Sequence, residues 1–390
     1  MAAHAMQAVD GISLTTEQSA AVRAVVEWYG AKTPQEFYLA GYAGVGKSTI
    51  ANVAIEEIKD CYGITKVATA CYTGKAASVL RRKGVKNAQT IHSLIYAPDE
   101  TDGSGQVSWT LSDASDAASA DLIVLDECSM VDEGIATDLR SFGKKILVLG
   151  DPGQLPPIGG QGAFTNREPD IFLREIHRQS AESPILELAT LARQGLRLPE
   201  GYDSGGVRVL PLTKETQELV YADGTQVICG LNRVRWTYNR RIRTRRGFEG
   251  ERPQEGERLI CCKNNRREGL FNGGMGTLLA IRHDYKGAHG AYEFDVLMDD
   301  YRRPKTELEV DPVHFDNHFS GGASKKLQLP KKRLEEFDWG YVITCHKAQG
   351  SSWDHVTVID DSAFFRNDRV AWLYTAITRA ETGLTILTRN

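Results

Sequence analysis

No aliphatic run in this sequence is long enough to span a bilayer. The longest, such as Leu122-Ile123-Val124-Leu125, fall far short of the ~20 residues a spanning helix needs, so no membrane association is expected. The seven cysteines, Cys61, Cys71, Cys128, Cys229, Cys261, Cys262 and Cys345, have no CxxC spacing, which removes the usual signature of a zinc ribbon or a dithiol redox pair. They are expected to be reduced packing residues. Charge of one sign is also lacking: Lys plus Arg is 47, Asp plus Glu is 51 and the net charge is −4. A uniformly basic nucleic-acid coat is excluded, and any polyanion-binding surface must come from local clustering. There is no repeat of fixed period and no long low-complexity tract. Met1 to Asp10 lacks the basic and apolar regions of an export signal, so a cytoplasmic chain is expected. What remains is a globular composition, 41% hydrophobic over 390 residues, with room for two to four domains.

Short apolar strands alternate with helical patterns from Phe37 to Leu149: Phe37 to Ala40, Lys66 to Thr69, Leu122 to Leu125 and Ile146 to Leu149. That alternation predicts a parallel sheet covered by helices. Between Ala97 and Ala120 it breaks into Asp, Ser, Gly and Thr around Val107-Ser108-Trp109, either a functional insertion or an irregular loop. A second α/β pattern starts near Ile171 and includes Gln226 to Cys229. From Pro253 to about Pro330 the strands Arg258 to Cys261, Thr277 to Ile281 and Tyr292 to Leu297, separated by Gly- and Asp-rich turns, predict a small antiparallel β module. The α/β pattern then resumes with Trp339 to Thr344, so the β module reads as an insertion.

Gly41-Tyr42-Ala43-Gly44-Val45-Gly46-Lys47-Ser48, followed by Thr49, lies between a predicted strand and a predicted helix and satisfies G-x-x-x-x-G-K-[ST]. This is a P-loop. Its amides turn inward around phosphates, Lys47 reaches the β and γ oxygens, and Ser48 offers a hydroxyl to Mg²⁺. The aliphatic strand Leu122 to Leu125 ends in Asp126-Glu127, which supplies a carboxylate for the magnesium shell and a general base for the attacking water. A third strand runs into Gly150-Asp151-Pro152-Gly153-Gln154, where Gln154 is expected to meet the γ-phosphate or its water.

Together these segments resemble the superfamily 1B helicases, in particular their RecD-like and Dda-like branch. The resemblance extends over nearly the whole chain. Thr16-Glu17-Gln18 is similar to the motif that reads adenine, here through Gln18. Ala70 to Ala77, with Thr73 and Lys75, and Thr90-Ile91-His92 resemble two segments that contact DNA. Ile176-His177-Arg178-Gln179 resembles the segment carrying a γ-phosphate arginine. Thr344-Cys345-His346-Lys347-Ala348-Gln349-Gly350 and Tyr374 to Ala380, with Arg379, resemble the last two motifs.

The resemblance implies an α/β protein with two RecA-like P-loop domains, a small β-hairpin inserted in the first and an SH3-like β-barrel inserted in the second. The expected boundaries are 1–96 and 120–170 for the first domain, 97–119 for its hairpin, 171–250 and 334–390 for the second domain, and 251–333 for the barrel. It implies an ATP-dependent DNA helicase acting on single strands and single-strand/duplex junctions in the 5′-to-3′ direction, with ATP and Mg²⁺ as cofactors. Arg178 and Arg379 would act as arginine fingers across a domain cleft, with Gln349 and Gly350 beside the nucleotide. Thr73, Lys75, Thr90, His92, Thr344, His346 and Lys347 would line the strand's path, and Trp109 would either stack on a base at the hairpin or anchor that hairpin. A P-loop ATPase that remodels a protein or RNA partner is the alternative; it would not need both halves of that path.

Two basic clusters stand out locally. Asn232 to Arg246 holds seven arginines and no carboxylate, and Lys325, Lys326, Lys331, Lys332 and Arg333 form a second group. Either they attract a polyanion or they are a solvated helix face and a hinge. Two departures from the family pattern are visible. Ser351-Ser352-Trp353 follows Gly350 where the family carries an acidic residue near the ribose, and the chain stops eleven residues after Arg379 without a long N-terminal region. The expectation is a minimal motor in which one polypeptide carries every ATP-site group, so a monomer would suffice, with replication or recombination proteins as further partners.

Overall fold

The computed structural model describes residues 14–98, 109–156, 162–175, 183–265, 268–283, 290–327 and 334–389. Two six-stranded sheets and a closed five-stranded barrel account for most of the strands. The first sheet is entirely parallel, in the spatial order Gln89–Thr90, Val67–Cys71, Leu122–Asp126, Lys145–Gly150, Glu36–Gly41 and Ile171–Leu173. The strands Leu122–Asp126, Lys145–Gly150 and Glu36–Gly41 are buried on both faces, with successive side chains pointing to opposite sides. Phe37 and Leu39 join Val22, Val25, Ile50 and Ile58 of the helices Thr16–Gly30 and Lys47–Tyr62. Tyr38 and Ala40 join Leu94, Ile95, Ile135 and Leu139 on the other face.

The second sheet runs Val342–Thr344, Gln226–Cys229, Trp353–Ile359, Ala380–Thr388, Val207–Pro211 and Asp203–Ser204, parallel except for the last pair. The barrel is built from Arg258–Cys261, Met275–His283, Tyr292–Met298, Lys305–Asp311 and Glu335–Trp339. A short hairpin pairs Tyr96–Pro98 with Trp109–Leu111. No helix among the described residues is long and apolar enough to cross a membrane.

Two boundaries differ from expectation. Ile171–Leu173, expected to begin the second domain, is the edge strand of the first sheet and pairs with Leu39 to Gly41. Three residues carry no readable period, and their partner lies about 130 positions earlier. The barrel extends past 333, because Glu335–Trp339 closes it against Arg258–Cys261. That strand is buried along its whole length although three of its five residues are acidic, and burial of carboxylates inverts the hydropathy signal.

The compensation is visible residue by residue. Asp338 bonds Arg235 and takes His318 Nε2 at 2.6 Å and the Trp339 amide at 2.7 Å. Glu336 is met by His314 and Lys326 at 3.0 and 2.7 Å. Despite its burial, the Arg235 guanidinium and His318 hold the Asp338 carboxyl well below the usual carboxylate range. Its stabilising contribution is therefore present above the unfolded carboxylate range and lost as pH falls below it. Truncating one partner strands the other charge in the interior, so Asp338→Ala is expected to cost about 3–5 kcal/mol in urea unfolding. A loss below about 1 kcal/mol would mean that the pair is not what holds the barrel strand.

The arginine cluster is largely explained by the same chemistry. Arg243 bonds Glu257 at 2.6 Å with both side chains buried, and stacks over Trp339 at 4.1 Å. Arg245 pairs with Glu218 and Arg246 with Asp223. Four of the seven arginines thus have carboxylate partners, all supplied by other segments. Within the second cluster, Lys331, Lys332 and Arg333 lie outside the described residues.

Candidate nucleotide cleft and nucleic-acid face

The P-loop turns because Gly44 and Gly46 take φ of +81° and +83°, values that a side chain disfavours. The helix Lys47–Tyr62 starts there without a side-chain cap, so its first amides face the cleft, an arrangement suited to phosphate. Lys47 Nζ folds back onto Gly41 O at 2.7 Å and Tyr42 O at 3.0 Å. Ser48 Oγ lies 3.4 Å from Asp126 Oδ2. The Glu127 amide donates to Asp126 Oδ1 at 2.8 Å, and Glu127 itself sits at φ +50°, an unusual conformation for a residue with a side chain. Burial, reinforced by Glu127, pushes the Asp126 carboxyl up to about 6 against the opposing pull of the Glu127 amide and Lys47.

The cleft has a volume of about 620 Å³ and is walled by both sheets. The first contributes Lys47, Ser48, Thr49, Asp126, Glu127, Asp151 and Gln154, and the second Gly350, Ser351, Ser352, Arg379 and Glu381. Arg379 is 5% exposed. Its guanidinium is held by Thr375 O at 3.1 Å, Ser351 O at 3.2 Å and Thr378 Oγ1 at 3.2 Å. Gly350 is at φ +73°, and a Cβ there would stand 2.7 Å from Thr73 Oγ1, so the two sheets meet at this glycine. Gln18 donates from Nε2 to Val45 O at 3.2 Å and accepts from the Thr15 amide at 3.0 Å; its carboxamide braces the P-loop. Gln349 likewise reaches across, with Nε2 on Leu155 O at 2.8 Å. The Ser351-Ser352 departure is accompanied by a carboxylate from elsewhere, since Glu381 bonds Ser352 Oγ in the cleft wall.

Beside the cleft, residues of separate sequence motifs meet in contacts that the sequence does not signal. Tyr374 donates its hydroxyl to Asp151 Oδ2 at 2.6 Å and accepts from the Ala43 amide at 2.7 Å. One phenol therefore joins the second domain to the P-loop and to the strand end behind it. Thr375 Oγ1 accepts the Leu155 amide at 2.9 Å. These contacts span more than 200 positions, and no spacing rule reaches that far.

Of the residues expected along the nucleic-acid path, three threonines cap helices directly after strands. Thr73 Oγ1 accepts the Ala76 amide at 3.1 Å, Thr90 Oγ1 the Ser93 amide at 3.1 Å, and Thr344 Oγ1 the Lys347 amide at 3.4 Å. His92 is exposed beside Tyr96 and His346 half-buried beside Phe365. Lys75 is not a free surface cation: it is 8% exposed and pairs with Asp300 of the barrel at 3.2 Å. Phe271 of the barrel covers Gly74 so closely that a Cβ there would stand 2.3 Å from the ring. Lys347 donates to Cys262 Sγ at 2.7 Å. Arg178 and the side chain of Trp109 lie outside the described residues, although the Trp109 backbone pairs with Pro98 in the hairpin.

Comparison with known proteins agrees with this architecture. Residues 13–204 match the AAA domain family, and residues 340–387 match the UvrD-like helicase C-terminal domain. An ATP-dependent RecD2 DNA helicase of Deinococcus radiodurans is 28% identical over 368 residues, 88% of this chain and 45% of that protein. These matches support the resemblance to the superfamily 1B helicases that the sequence motifs carry. A conjugal transfer protein TraA of Rhizobium radiobacter is 26% identical over 399 residues, 94% of this chain and 32% of its own. The chain thus spans less than half the length of the curated relatives it matches. Among solved structures, Bacteroides Pif1 bound to ssDNA shares the fold with a TM-score of 0.55 at 18% identity, covering 97% of this chain and 92% of that one. The Pif1 helicases solved at forked dsDNA give 0.57 at 19%, with the same coverage. The AAA-domain match includes the P-loop and the strand ends that wall the cleft.

Proposed function

We propose that this chain is an ATP-dependent DNA helicase that moves along single-stranded DNA by closing and reopening the cleft between its two α/β domains. The observation that carries this reading is the shared wall: Lys47, Asp126 and Glu127 come from one sheet and Arg379 from the other, around one cavity. The P-loop amides and Lys47 hold the phosphates, Glu127 takes the proton of the attacking water, and Gln154 orients that water. Arg379, together with Arg178, neutralises charge that develops at the γ-phosphate. Loss of the γ-phosphate then removes the group that holds the domains together, which turns hydrolysis into movement.

Ser48 and Asp126 suit a magnesium ion, since their oxygens converge at the cleft floor and a buried carboxyl with a raised pKa gains a partner when a cation arrives. Bound there, Mg²⁺ would neutralise charge on the β and γ oxygens. The folded chain holds a proton on Asp126 below about 6, so that proton competes with the ion. Binding of ADP with Mg²⁺ is expected to weaken as pH falls from 7.5 to 5, and a fluorescent-nucleotide titration checks it; an affinity flat across that range removes the competition.

The DNA strand would run over Thr73, Lys75, Thr90 and His92 of the first domain and Thr344, His346 and Lys347 of the second, held through phosphates without sequence readout. Trp109 would either stack on a base at the junction or anchor its own hairpin. Asp300 occupies Lys75 in the present state, as a phosphate would. Asp300→Ala is expected to tighten single-strand binding severalfold, measured by fluorescence anisotropy; unchanged affinity would place the strand elsewhere. The 5′-to-3′ polarity follows the family. ATP turnover with and without single-stranded DNA, and strand displacement on duplexes with a 5′ or a 3′ overhang, test the whole reading: turnover indifferent to DNA would end it. A monomer carries every group required, and cytoplasmic action is proposed with it.

A further inference from the structure

We propose that Cys262 and Lys347 are a redox-sensitive pair, which a peroxide converts into a covalent sulfur–nitrogen link between the barrel and the second α/β domain. Cys262 directly follows the barrel strand Arg258–Cys261, and Lys347 lies on the short helix Cys345–Ala348. Their Sγ and Nζ atoms are 2.7 Å apart. Other cysteine sulfurs among the described residues meet their hydrogen-bond partners at 3.0 to 3.7 Å. The pair is therefore already inside the distance of a near-attack arrangement, about 3–3.5 Å. Neither residue is fully enclosed, and hydrogen peroxide is among the smallest oxidants that can be offered to the sulfur.

The surroundings favour amine chemistry over a metal. Cys262, His314 and Asp338 have ligand atoms within 4.8 Å of one another, a metal-like spacing. Asp338, however, is already engaged by Arg235 and His318, and Lys347 sets an ammonium against the sulfur. Two fixed cations disfavour a divalent ion there. Burial pushes the Cys262 thiol up, and the Lys347 ammonium pulls it back; the thiol is thus slower to react than the exposed Cys61.

In the first step Sγ attacks one peroxide oxygen: an S–O bond forms, the O–O bond breaks, and Cys262 becomes a sulfenic acid with release of water. Nζ, after losing a proton to solvent, then attacks Sγ. The S–N bond forms, the S–O bond breaks, and the hydroxyl leaves as a second water after taking up a proton. Thiol and amine together lose two hydrogens, and one peroxide is reduced to two waters. The link removes the charge of Lys347 and fixes the barrel to the loop Thr344 to Gly350.

The test treats the full chain with hydrogen peroxide, alkylates free thiols and maps tryptic peptides by mass spectrometry. The expected product joins the peptides of Cys262 and Lys347, about 2 Da lighter than their sum; it lacks cleavage after Lys347 and is reversed by dithiothreitol. It is absent from Cys262→Ser, and in Lys347→Arg the Cys262 sulfur proceeds to the sulfinic acid. Alkylated or sulfinic Cys262 in the unsubstituted chain, or a link heavier by about 14 Da that retains oxygen, overturns the proposal. The mass readout does not depend on the helicase reading. DNA-stimulated turnover should fall severalfold on oxidation and resist it in Cys262→Ser; a link that forms without that fall leaves the link standing and removes Lys347 from the proposed strand path.

Discussion

Replacing Arg379 with alanine is expected to lower DNA-stimulated ATP turnover by about 10³-fold or more, while nucleotide affinity changes only a fewfold. The magnitude is that of arginine fingers in other nucleotide hydrolases, about 10³–10⁵. It follows from the role proposed for the guanidinium: its charge would matter most when negative charge spreads over the γ-phosphate, so its removal would touch kcat more than binding. Three hydrogen bonds from its own domain hold Arg379 in the cleft wall, which places the fork in advance of the reaction. Arg379→Lys retains a charge but not the planar fork and should recover only part of the rate. Equal losses in binding and turnover would show that Arg379 only maintains the wall.

Glu127→Gln should be nearly as severe, about 10²–10⁴-fold in turnover, with the fold and nucleotide binding intact. The substitution keeps the shape of a side chain that the backbone presents in a left-handed conformation and removes only the ability to accept a proton. Single-turnover measurement with saturating nucleotide and DNA separates this from a binding defect. Retention of even a tenth of the rate would reassign the base to another group in the cleft.

The parts of the site that sequence makes legible are the parts whose geometry is local. A P-loop is eight consecutive residues whose backbone does the binding, and Asp126-Glu127 is a strand end. The contacts that join the two halves are not local. Tyr374 and Asp151, or Leu155 with Gln349 and Thr375, carry no spacing signal because the chain between them is free to take any length. The arginines from Asn232 to Arg246 are ambiguous for the same reason: their carboxylates lie on Glu218, Asp223, Glu257 and Asp338, outside the cluster. Hydropathy failed where the interior is charged, as in Glu335–Trp339, and the three-residue strand Ile171–Leu173 is too short to show a period. Lys75 shows a further limit: its residue type suggests a phosphate ligand, but only the fold reveals a carboxylate already seated on it.

The last barrel strand ends at Trp339 and the first strand of the resumed second sheet begins at Val342, so Gly340 and Tyr341 alone connect them. Gly340 has no room for a side chain, because a Cβ there would come within 3.0 Å of the Leu259 backbone. The joint is too short and too tightly seated to act as a slack tether. Any rocking of the barrel against its neighbours must be transmitted, like torque through a rigid shaft, to Thr344 and Gly350 a few residues on.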